Sequence, residues 1–516
     1  MKPRLRALWW RGLLCLPLLT LQAAPAQTPL APAAAPSATA QTTASPRAGA
    51  AAQYWNPQLS DARLLAAPPG PPATSRAVQL SAHGYVEQEV FLQGQAQHYR
   101  PLPGWGESGQ WGVQPHGEAH PYVTRLLVRR PADPARFNGV IVVEWLNTTP
   151  GFDLDGGWVL TREELMAQGY AWVGVSNQTE GVQALQGQSP RYAALRLASN
   201  EGAHAIYGQA GQAIRTHWPQ LLGLQAHPTP FAAPVNPRLL AMGYSQSGLF
   251  LYTYINTFHP AHQVFDGFYL RGPAPLAPSV EKDGDDVWAP AFRSDLKTHI
   301  MQVQTEAEAM VSWPLSRTPD TDRIRYWEIS GAAHLDAHLQ AELPLITPAN
   351  APNTPHGCLR PLNALPAYMV DHAALHALTR WVTAGVAPPI APRMARNALG
   401  FVRTDEAGHA QGGLRLPDIQ APTAHHGQYS NFSTRSLAVR SQYACIAGGS
   451  TVPMDAEVLQ ARYTSRADYV QAYQATADAL LGQGFLRPRD HQALLDRSQA
   501  AAARLWPGTP TSHTPH

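Results

Sequence analysis

The segment at residues 238–258 constrains the fold more than any other part of this chain. It contains an apolar run at residues 239–242, a turn of sequence GYSQSG at residues 243–248, and an apolar and aromatic run at residues 249–258. The first run is typical of a short strand buried in a parallel sheet, and the last is typical of a buried helix. The sequence therefore predicts a strand, a tight turn and a helix in immediate succession.

Ser245 lies at the apex of this predicted turn. So sharp a turn brings backbone segments close together, and it needs small residues two positions before and two positions after its apex. Gly243 and Ser247 meet that need, whereas an apex at Ser247 would place Leu249 in the crowded position. Strings of glycine and serine also occur in ordinary loops. The flanking strand and helix favour a nucleophile elbow, which presents the Ser245 hydroxyl at the end of a sheet.

Apolar runs alternate with helix-like segments from residue 124 onward. The strand candidates are residues 124–128, 139–145, 170–175, 239–242, 265–270, 300–303 and 324–329. The helix candidates between them are residues 160–168, 204–218 and 249–258. This alternation predicts an α/β fold with a mostly parallel central sheet and helices on both faces. Together with the elbow, it indicates the α/β-hydrolase fold.

Three further segments are predicted to elaborate this fold. Residues 178–237 and 273–298 are longer than a crossover needs, so each is a candidate lid insertion over the site. A proline-rich break at residues 388–392 marks the start, at about residue 390, of a C-terminal extension. Two late helices, at residues 468–482 and 489–504, are expected in that extension.

The N-terminal residues predict export. Basic residues at positions 2, 4 and 6, an apolar core at residues 12–21 and a small-residue cleavage site fit a signal peptide over residues 1–26. The apolar core is too short for a permanent membrane span, and Cys15 lacks the small residue expected before a lipoprotein cysteine. Residues 27–53 are rich in Ala and Pro and are interpreted as a flexible linker. The mature protein is thus expected to be periplasmic or secreted, without a stable membrane anchor.

Length and charge limit the remaining possibilities. Residues 54–516 are long enough to bury a large core and are predicted to form a single domain. The chain has 38 Lys and Arg against 36 Asp and Glu, a net charge of +2, and no long basic run. Nucleic acid is therefore not expected as a partner. The sequence leaves the oligomeric state open.

Removal of the predicted signal peptide leaves two cysteines, Cys358 and Cys445. In an oxidising compartment they are predicted to form one disulfide, which would tie the C-terminal extension to the main body. Two buried free thiols are the alternative, because the sequence does not give the distance between them.

A serine nucleophile needs a histidine base, and that base needs an acid to hold its tautomer. In the predicted fold their order along the chain is serine, acid, histidine. His334 follows the strand candidate at residues 324–329 through a short loop of small residues, so it is the predicted base. Glu306 and Glu308 follow the strand candidate at residues 300–303, and Glu308 is favoured as the acid, with Glu306 the alternative. Both glutamates are also compatible with ordinary solvated loop positions.

The tetrahedral intermediate of such a reaction has a negatively charged oxygen that main-chain N–H groups stabilise. One N–H is predicted to be that of Gln246, the residue after the nucleophile. Another is expected from the loop after the strand candidate at residues 139–145, where Trp145 and Asn147 are the candidates. Trp145 is equally compatible with a core position, and Asn147 with a simple turn.

Two groups of side chains resemble metal ligands. His334, Asp336 and His338 alternate along the chain, but no second motif accompanies them. Asp153 and Asp155 are spaced too closely for a complete calcium loop. The sequence therefore predicts neither a metal nor another cofactor.

Four stretches of the chain carry a family resemblance. They are VVEWLN at residues 142–147, GYSQSG at 243–248, GAAH at 331–334 and RWVTAGVAPP at 380–389. Together they resemble an exported bacterial family of alpha/beta hydrolase domain proteins. The resemblance covers most of the chain from about Tyr54, which favours one elaborated domain. It implies Ser245 as nucleophile and His334 as base.

The resemblance is incomplete at the acidic loop. The family tends to have Glu-x-Asp there, whereas this chain has Glu306-x-Glu308. A glutamate can fill the role of the acid. The difference therefore affects which residue is the acid of the triad, and it does not affect the predicted reaction class.

These observations predict an exported serine hydrolase that cleaves carboxylic esters through an acyl-enzyme intermediate. The ester preference is implied by the family resemblance, and the expected substrate is a small-molecule or polymeric ester. Lipase, polyester depolymerase and amidase activities are variants of this prediction. A secreted binding protein on a hydrolase scaffold that has lost catalysis is an alternative of a different class.

Overall fold

The structure is a computed structural model of the 516-residue chain. It describes residues 57–74, 78–107, 111–223, 236–312, 318–346, 357–429, 431–435 and 437–507. The predicted signal peptide at residues 1–26 and the predicted linker at residues 27–53 lie outside the described residues. The described residues belong to one compact unit.

A central sheet organises the described part of the chain. The strands are β1 (Arg63–Ala66), β2 (Tyr85–Pro101), β3 (Val113–Pro131), β4 (Val140–Trp145), β5 (Ala171–Val175), β6 (Arg238–Tyr244), β7 (Gly267–Arg271), β8 (Leu276–Ala277), β9 (Val287–Trp288), β10 (His299–Thr305), β11 (Ile324–Ile329), β12 (Ala424–Gly427) and β13 (Ser450–Pro453). The sheet order is β1-β2-β3-β5-β4-β6-β7-β10-β11. In this order, adjacent strands from β5 through β4, β6, β7 and β10 to β11 are parallel to each other. Strands β1, β2 and β3 extend one side of the sheet with antiparallel pairings. The predicted mostly parallel sheet is thereby confirmed.

The parallel strands are apolar on both faces because helices cover both faces. Every residue of β4, β5, β7 and β11 is buried. Alternate residues of β6 enter opposite cores: Leu240 and Met242 pack in a cluster with Leu375, and Leu239 packs in another with Phe250. Such two-sided burial gives the continuous apolar runs that mark these strands in the sequence.

The helices form a layer on each side of the sheet. They are α1 (Gly156–Gln168), α2 (Thr179–Gln188), α3 (Ala203–Leu221), α4 (Gln246–Thr253), α5 (His259–His262), α6 (Glu306–Ser312), α7 (Ala337–Ile346), α8 (Tyr368–Ala384), α9 (Pro417–Gln420), α10 (Val439–Gly448), α11 (Ala456–Arg462), α12 (Arg466–Gly482) and α13 (Pro488–Leu505). The core on one face contains α1 and α8, and the core on the other contains α3 and α4. Helices on both faces are what the alternating sequence pattern predicts.

The two long segments between strands contain regular structure. The segment at residues 178–237 includes α2 and α3, and α3 belongs to the core of one face. The segment at residues 273–298 contains a ribbon formed by β8 and β9, and β8 packs beside α4. A lid role for either segment remains a prediction.

The C-terminal extension is joined covalently to the body. Cys358 and Cys445 form a disulfide with their Cα atoms 5.4 Å apart, as predicted. The two predicted late helices are α12 and α13, and both contribute to the core that contains α1 and α8. Among the described residues, no helix combines the length and the apolar character that a membrane crossing requires.

Candidate active site

Ser245 lies at the junction of β6, which ends at Tyr244, and α4, which begins at Gln246. Its backbone has φ 56° and ψ −118°, a region that residues with a side chain rarely occupy. Gly243 is required nearby because a Cβ there would lie 2.8 Å from the carbonyl oxygen of Ser247. The junction therefore has the strain and the crowding of an elbow.

Ser247 occupies the position two residues after the apex, where such a turn usually has a glycine, and it is fully buried. Its hydroxyl accepts a hydrogen bond from the N–H of Tyr244 at 2.9 Å and donates one to the carbonyl oxygen of Tyr244 at 2.9 Å. These two hydrogen bonds hold the Ser247 side chain against the main chain at the end of β6. This arrangement supports Ser245, rather than Ser247, as the residue that presents a hydroxyl to a ligand.

His334 comes to the elbow from the loop after β11. Its Nε2 lies 2.9 Å from Oγ of Ser245, although the two residues are 89 positions apart. The imidazole stacks on the ring of Tyr244, with the ring centroids 5.4 Å apart. The Tyr244 hydroxyl also donates to the carbonyl oxygen of His334 at 2.8 Å. These contacts hold the imidazole beside the serine hydroxyl.

Glu308, in α6, completes a hydrogen-bonded chain. Its Oε1 lies 2.5 Å from Nδ1 of His334, and its Oε2 accepts from the N–H of Thr305 at 2.8 Å and from the Thr305 hydroxyl at 2.5 Å. Burial acts to raise the pKa of this carboxyl, but His334, Arg271 and Thr305 hold the pKa below its ordinary value. A carboxylate at Nδ1 leaves Nε2 free to accept the proton of Ser245.

Glu306, the alternative acid, faces a different partner. Its Oε2 accepts a hydrogen bond from the N–H of Gly331 at 2.7 Å. Burial raises the pKa of Glu306 to about 7. Glu306 and Glu308 are both buried, so neither is the solvated loop charge that the sequence also allowed. The structure brings Glu308, and not Glu306, to His334.

The three predicted oxyanion donors differ in whether their N–H groups already have acceptors. Gln246 is the first residue of α4, so its N–H has no acceptor within the helix. Trp145 lies within the sheet at the end of β4, and the N–H of Asn147 donates to the carbonyl oxygen of Leu154 at 3.0 Å. The N–H of Asn147 is thus engaged within the loop after β4, which folds back onto Leu154. The Asn147 side chain does reach the elbow, donating to the carbonyl oxygen of Tyr244 at 2.9 Å.

Arg271 is a buried cation beside the site that no sequence motif indicates. Its Nε donates to Oδ1 of Asp371 at 2.8 Å, and its carbonyl oxygen accepts from the N–H of Ser245 at 2.8 Å. The guanidinium is among the groups that lower the pKa of Glu308. A charged residue at the end of an otherwise apolar strand is the one sequence signal that could have found it.

The C-terminal extension holds the loop that carries His334. The N–H of Leu335 donates to the carbonyl oxygen of Ala447 at 2.9 Å. Gln340 donates from Nε2 to the carbonyl oxygens of Leu335 at 2.8 Å and Ala444 at 2.7 Å. Because Cys445 follows Ala444, the disulfide fixes the same segment of α10.

The possible metal ligands have other partners. Asp153 pairs with Arg125 at 2.9 Å, and Asp155 pairs with Arg129 at 2.5 Å. Asp336 accepts from the N–H of Leu339 at 3.0 Å, and the ring of His338 stacks on that of Tyr368. Across the ranges that the structure describes, no three potential ligands are grouped so that they could hold a metal ion.

The sheet order, the helices on both faces and the strained serine after β6 define the α/β-hydrolase fold. A family model described as "Alpha/beta hydrolase domain" matches residues 45–496, and the chain belongs to this family.

Several solved structures share similarity with part of the chain. A mutant of esterase Est22 is 12% identical over 39% of this chain and 48% of that one, with a TM-score of 0.23, so the match spans about half of that protein. An alpha-beta serine hydrolase homologue from Coxiella burnetii is 14% identical over 45% of this chain and 93% of that one, with a TM-score of 0.28. An a/b serine hydrolase without lid from Xanthomonas campestris is 10% identical over 46% and 83%, with a TM-score of 0.25. No curated protein matches the chain.

Proposed function

We propose that this protein is an exported serine hydrolase that cleaves carboxylic esters through an acyl-enzyme intermediate. Ser245 is the nucleophile, His334 is the general base and Glu308 is the acid that orients the base. The observation that carries the proposal is the hydrogen-bonded chain from Oγ of Ser245 through both ring nitrogens of His334 to Glu308, at 2.9 Å and 2.5 Å. The substrate is a small-molecule or polymeric ester.

In the first half of the reaction, Oγ of Ser245 attacks the ester carbonyl carbon while its proton moves to Nε2 of His334. The Glu308 carboxylate accepts the Nδ1 hydrogen bond and stabilises the imidazolium that forms. The carbonyl oxygen becomes an oxyanion, which the N–H of Gln246 stabilises at the start of α4. The intermediate then expels the alcohol, which takes the proton from Nε2, and an acyl group remains on Ser245.

The second half of the reaction regenerates the serine. A water molecule attacks the acyl carbon while His334 takes its proton, and a second tetrahedral intermediate forms. When that intermediate collapses, the carboxylic acid leaves and Ser245 recovers its proton from His334. No group outside the chain is needed for either half beyond water and the ester.

Export rests on two independent observations. The N-terminal sequence has the pattern of a signal peptide, and the disulfide between Cys358 and Cys445 is compatible with an oxidising compartment. A periplasmic or secreted protein without a membrane anchor is consistent with both. Nucleic acid is not proposed as a partner, because the net charge is only +2.

A chain-length series of aryl esters, assayed with the parent and with Ser245→Ala, tests the proposal. We expect the parent to hydrolyse at least part of the series and Ser245→Ala to lose on the order of 10⁶ in kcat, as loss of a serine nucleophile does elsewhere. Hydrolysis that survives in Ser245→Ala would overturn the assignment. Ester binding without any turnover by the parent would favour a scaffold that only binds.

A further inference from the structure

The first four residues of the loop after β4, residues 146–149, each have a main-chain N–H, and three of these N–H groups have partners fixed within the body. The donor and acceptor pairs are Leu146 to Val175 O at 3.4 Å, Asn147 to Leu154 O at 3.0 Å and Thr149 to Asn147 Oδ1 at 2.8 Å. Two of these acceptors are main-chain oxygens. The third belongs to the buried Asn147 side chain, which is itself bonded to the end of β6. A ligand cannot take these N–H groups without disrupting the loop.

The fourth N–H, that of Thr148, has a partner of a different kind. It donates to Oε1 of the Gln246 side chain at 3.0 Å, and the amide nitrogen of Gln246 donates to Oγ1 of Thr148 at 3.3 Å. Thr148 is buried, whereas Gln246 is only partly buried. The N–H of Thr148 is thus bonded to a side-chain carbonyl oxygen of the residue that directly follows Ser245.

We propose that the N–H of Thr148 is the second oxyanion donor and that the Gln246 side chain occupies it in the resting enzyme, so that the ester must displace this amide. The inference rests on the proposed function and deepens it. An amide oxygen and an ester carbonyl oxygen accept hydrogen bonds in the same way, so the two compete for one N–H. The bond from the Asn147 side chain to the carbonyl oxygen of Tyr244, at 2.9 Å, holds this loop against the elbow while Gln246 turns away.

The competition has a defined kinetic consequence. Only the fraction of enzyme in which Gln246 has turned away can bind the carbonyl oxygen at Thr148, so the observed kcat/KM equals the intrinsic value multiplied by that fraction. A net contribution typical of one neutral hydrogen bond corresponds to a reduction of about two- to tenfold. The oxyanion is charged and makes a stronger bond than either neutral oxygen, so it displaces Gln246 more readily than the ground-state ester does.

Two variants weaken the contact and keep both main-chain N–H groups. Gln246→Met removes the competing oxygen, and Thr148→Val removes the hydroxyl oxygen that anchors the amide nitrogen of Gln246. We expect kcat/KM for an aryl ester to rise about two- to tenfold in Gln246→Met and by a smaller factor in Thr148→Val. The inhibition constant of a trifluoromethyl ketone, which forms an oxyanion on the serine, is expected to fall by similar factors.

The matched control is Gln88→Met, which replaces another partly buried glutamine that is bonded to the carbonyl oxygen of Leu221. Both kinetic values are expected to stay unchanged in this control. A decrease or no change of kcat/KM in the folded Gln246→Met and Thr148→Val variants would overturn the inference, because Gln246 would then brace the loop or be irrelevant to it. If Gln246→Met does not fold, the direction of change in Thr148→Val decides. Turnover that does not depend on Ser245 would instead overturn the proposed function.

Discussion

Ser247 stands where a strand-to-helix turn of this kind usually has a glycine. The buried hydroxyl explains how the chain tolerates this departure, since it satisfies both the N–H and the carbonyl oxygen of Tyr244. The side chain therefore stabilises the turn that presents Ser245, and it has a structural role rather than a chemical one.

Ser247→Ala should separate that structural role from a chemical one. The substitution removes the acceptor of the buried Tyr244 N–H, whereas the carbonyl oxygen of Tyr244 keeps its bond from the Asn147 side chain. We therefore expect the free energy of unfolding to fall by about 1 to 3 kcal/mol. Turnover of an aryl ester by the folded variant should stay close to that of the parent. Urea denaturation and the ester assay measure the two effects. Lost turnover at unchanged stability would contradict this account and would identify Ser247 as the nucleophile.

Glu308→Gln is expected to lower kcat about 10³- to 10⁴-fold, because a neutral amide neither holds the required tautomer of His334 nor stabilises its imidazolium. Glu306→Gln is the matched control, two positions away on the same helix. Its side-chain oxygen can still accept from the N–H of Gly331, so we expect nearly full activity. Steady-state kinetics of both variants provide the comparison, and losses of equal size would argue against Glu308 as the acid.

The residues of the candidate site were predictable to different degrees. Ser245 and His334 follow buried strands whose apolar runs are visible in the sequence, so their positions after those strands, the small residues around them and the chain order select them. The sequence favoured Glu308 over Glu306 but left both open, because their difference is a rotation within the first turn of α6. The main-chain donor in the loop after β4 was not predictable, since the fold of that loop, not the identity of any side chain, decides which N–H is engaged.

Strands and helices were predictable where they are buried. The seven strand candidates correspond to β3 to β7, β10 and β11, but the sequence indicated only residues 124–128 of the much longer β3. The exposed first part of β3 pairs with β2 in a hairpin that has no continuous apolar face, so it carries no hydrophobic signal. Helix α4 begins at Gln246 rather than at Leu249, because the elbow sets its start in residues that are not apolar.

The disulfide couples the C-terminal extension to the loop of His334. Cys445 belongs to α10, which binds the main chain around Leu335 and the side chain of Gln340.

Cys358→Ser should lower the free energy of unfolding by about 2 to 5 kcal/mol, because the disulfide closes a long loop with a sequence separation of 87. We also expect kcat to fall more than KM changes, since the base loses its support. Denaturation curves and kinetics with and without reductant measure both effects, and Ser441→Ala, on the same helix, serves as the control. Full activity of the folded, disulfide-free variant would show that the extension does not support His334.

Buried charge links three helices far apart in the chain. His372 of α8 bonds to Asp490 of α13 at 2.9 Å and pairs with Glu163 of α1 at 3.4 Å. Burial disfavours its charged form, but the two carboxylates outweigh burial and raise the pKa of His372 to about 9. The folded protein thus keeps a proton that the unfolded chain releases near its ordinary pKa of 6.5.

Because the folded protein binds this proton more tightly than the unfolded chain does, the free energy of unfolding should depend on pH. The contribution of His372 is fully present below about pH 6.5 and is lost as the pH rises through about 9, with a size on the order of 3 kcal/mol. Denaturation midpoints measured between pH 6 and 10 should therefore decrease over that window. The decrease should be smaller in His372→Gln, which has no titrating group there. A parent whose stability rises over the same window, or a variant with the same slope, would contradict the assignment.

Covalent labelling with a serine-directed fluorophosphonate tests most directly whether the Ser245 hydroxyl is activated by His334. We predict one adduct per folded chain, located by mass spectrometry on Ser245, with labelling abolished in Ser245→Ala and slowed strongly in His334→Ala. Labelling should persist in Ser247→Ala. Absence of an adduct on the folded parent, or an adduct on another serine, would contradict the account.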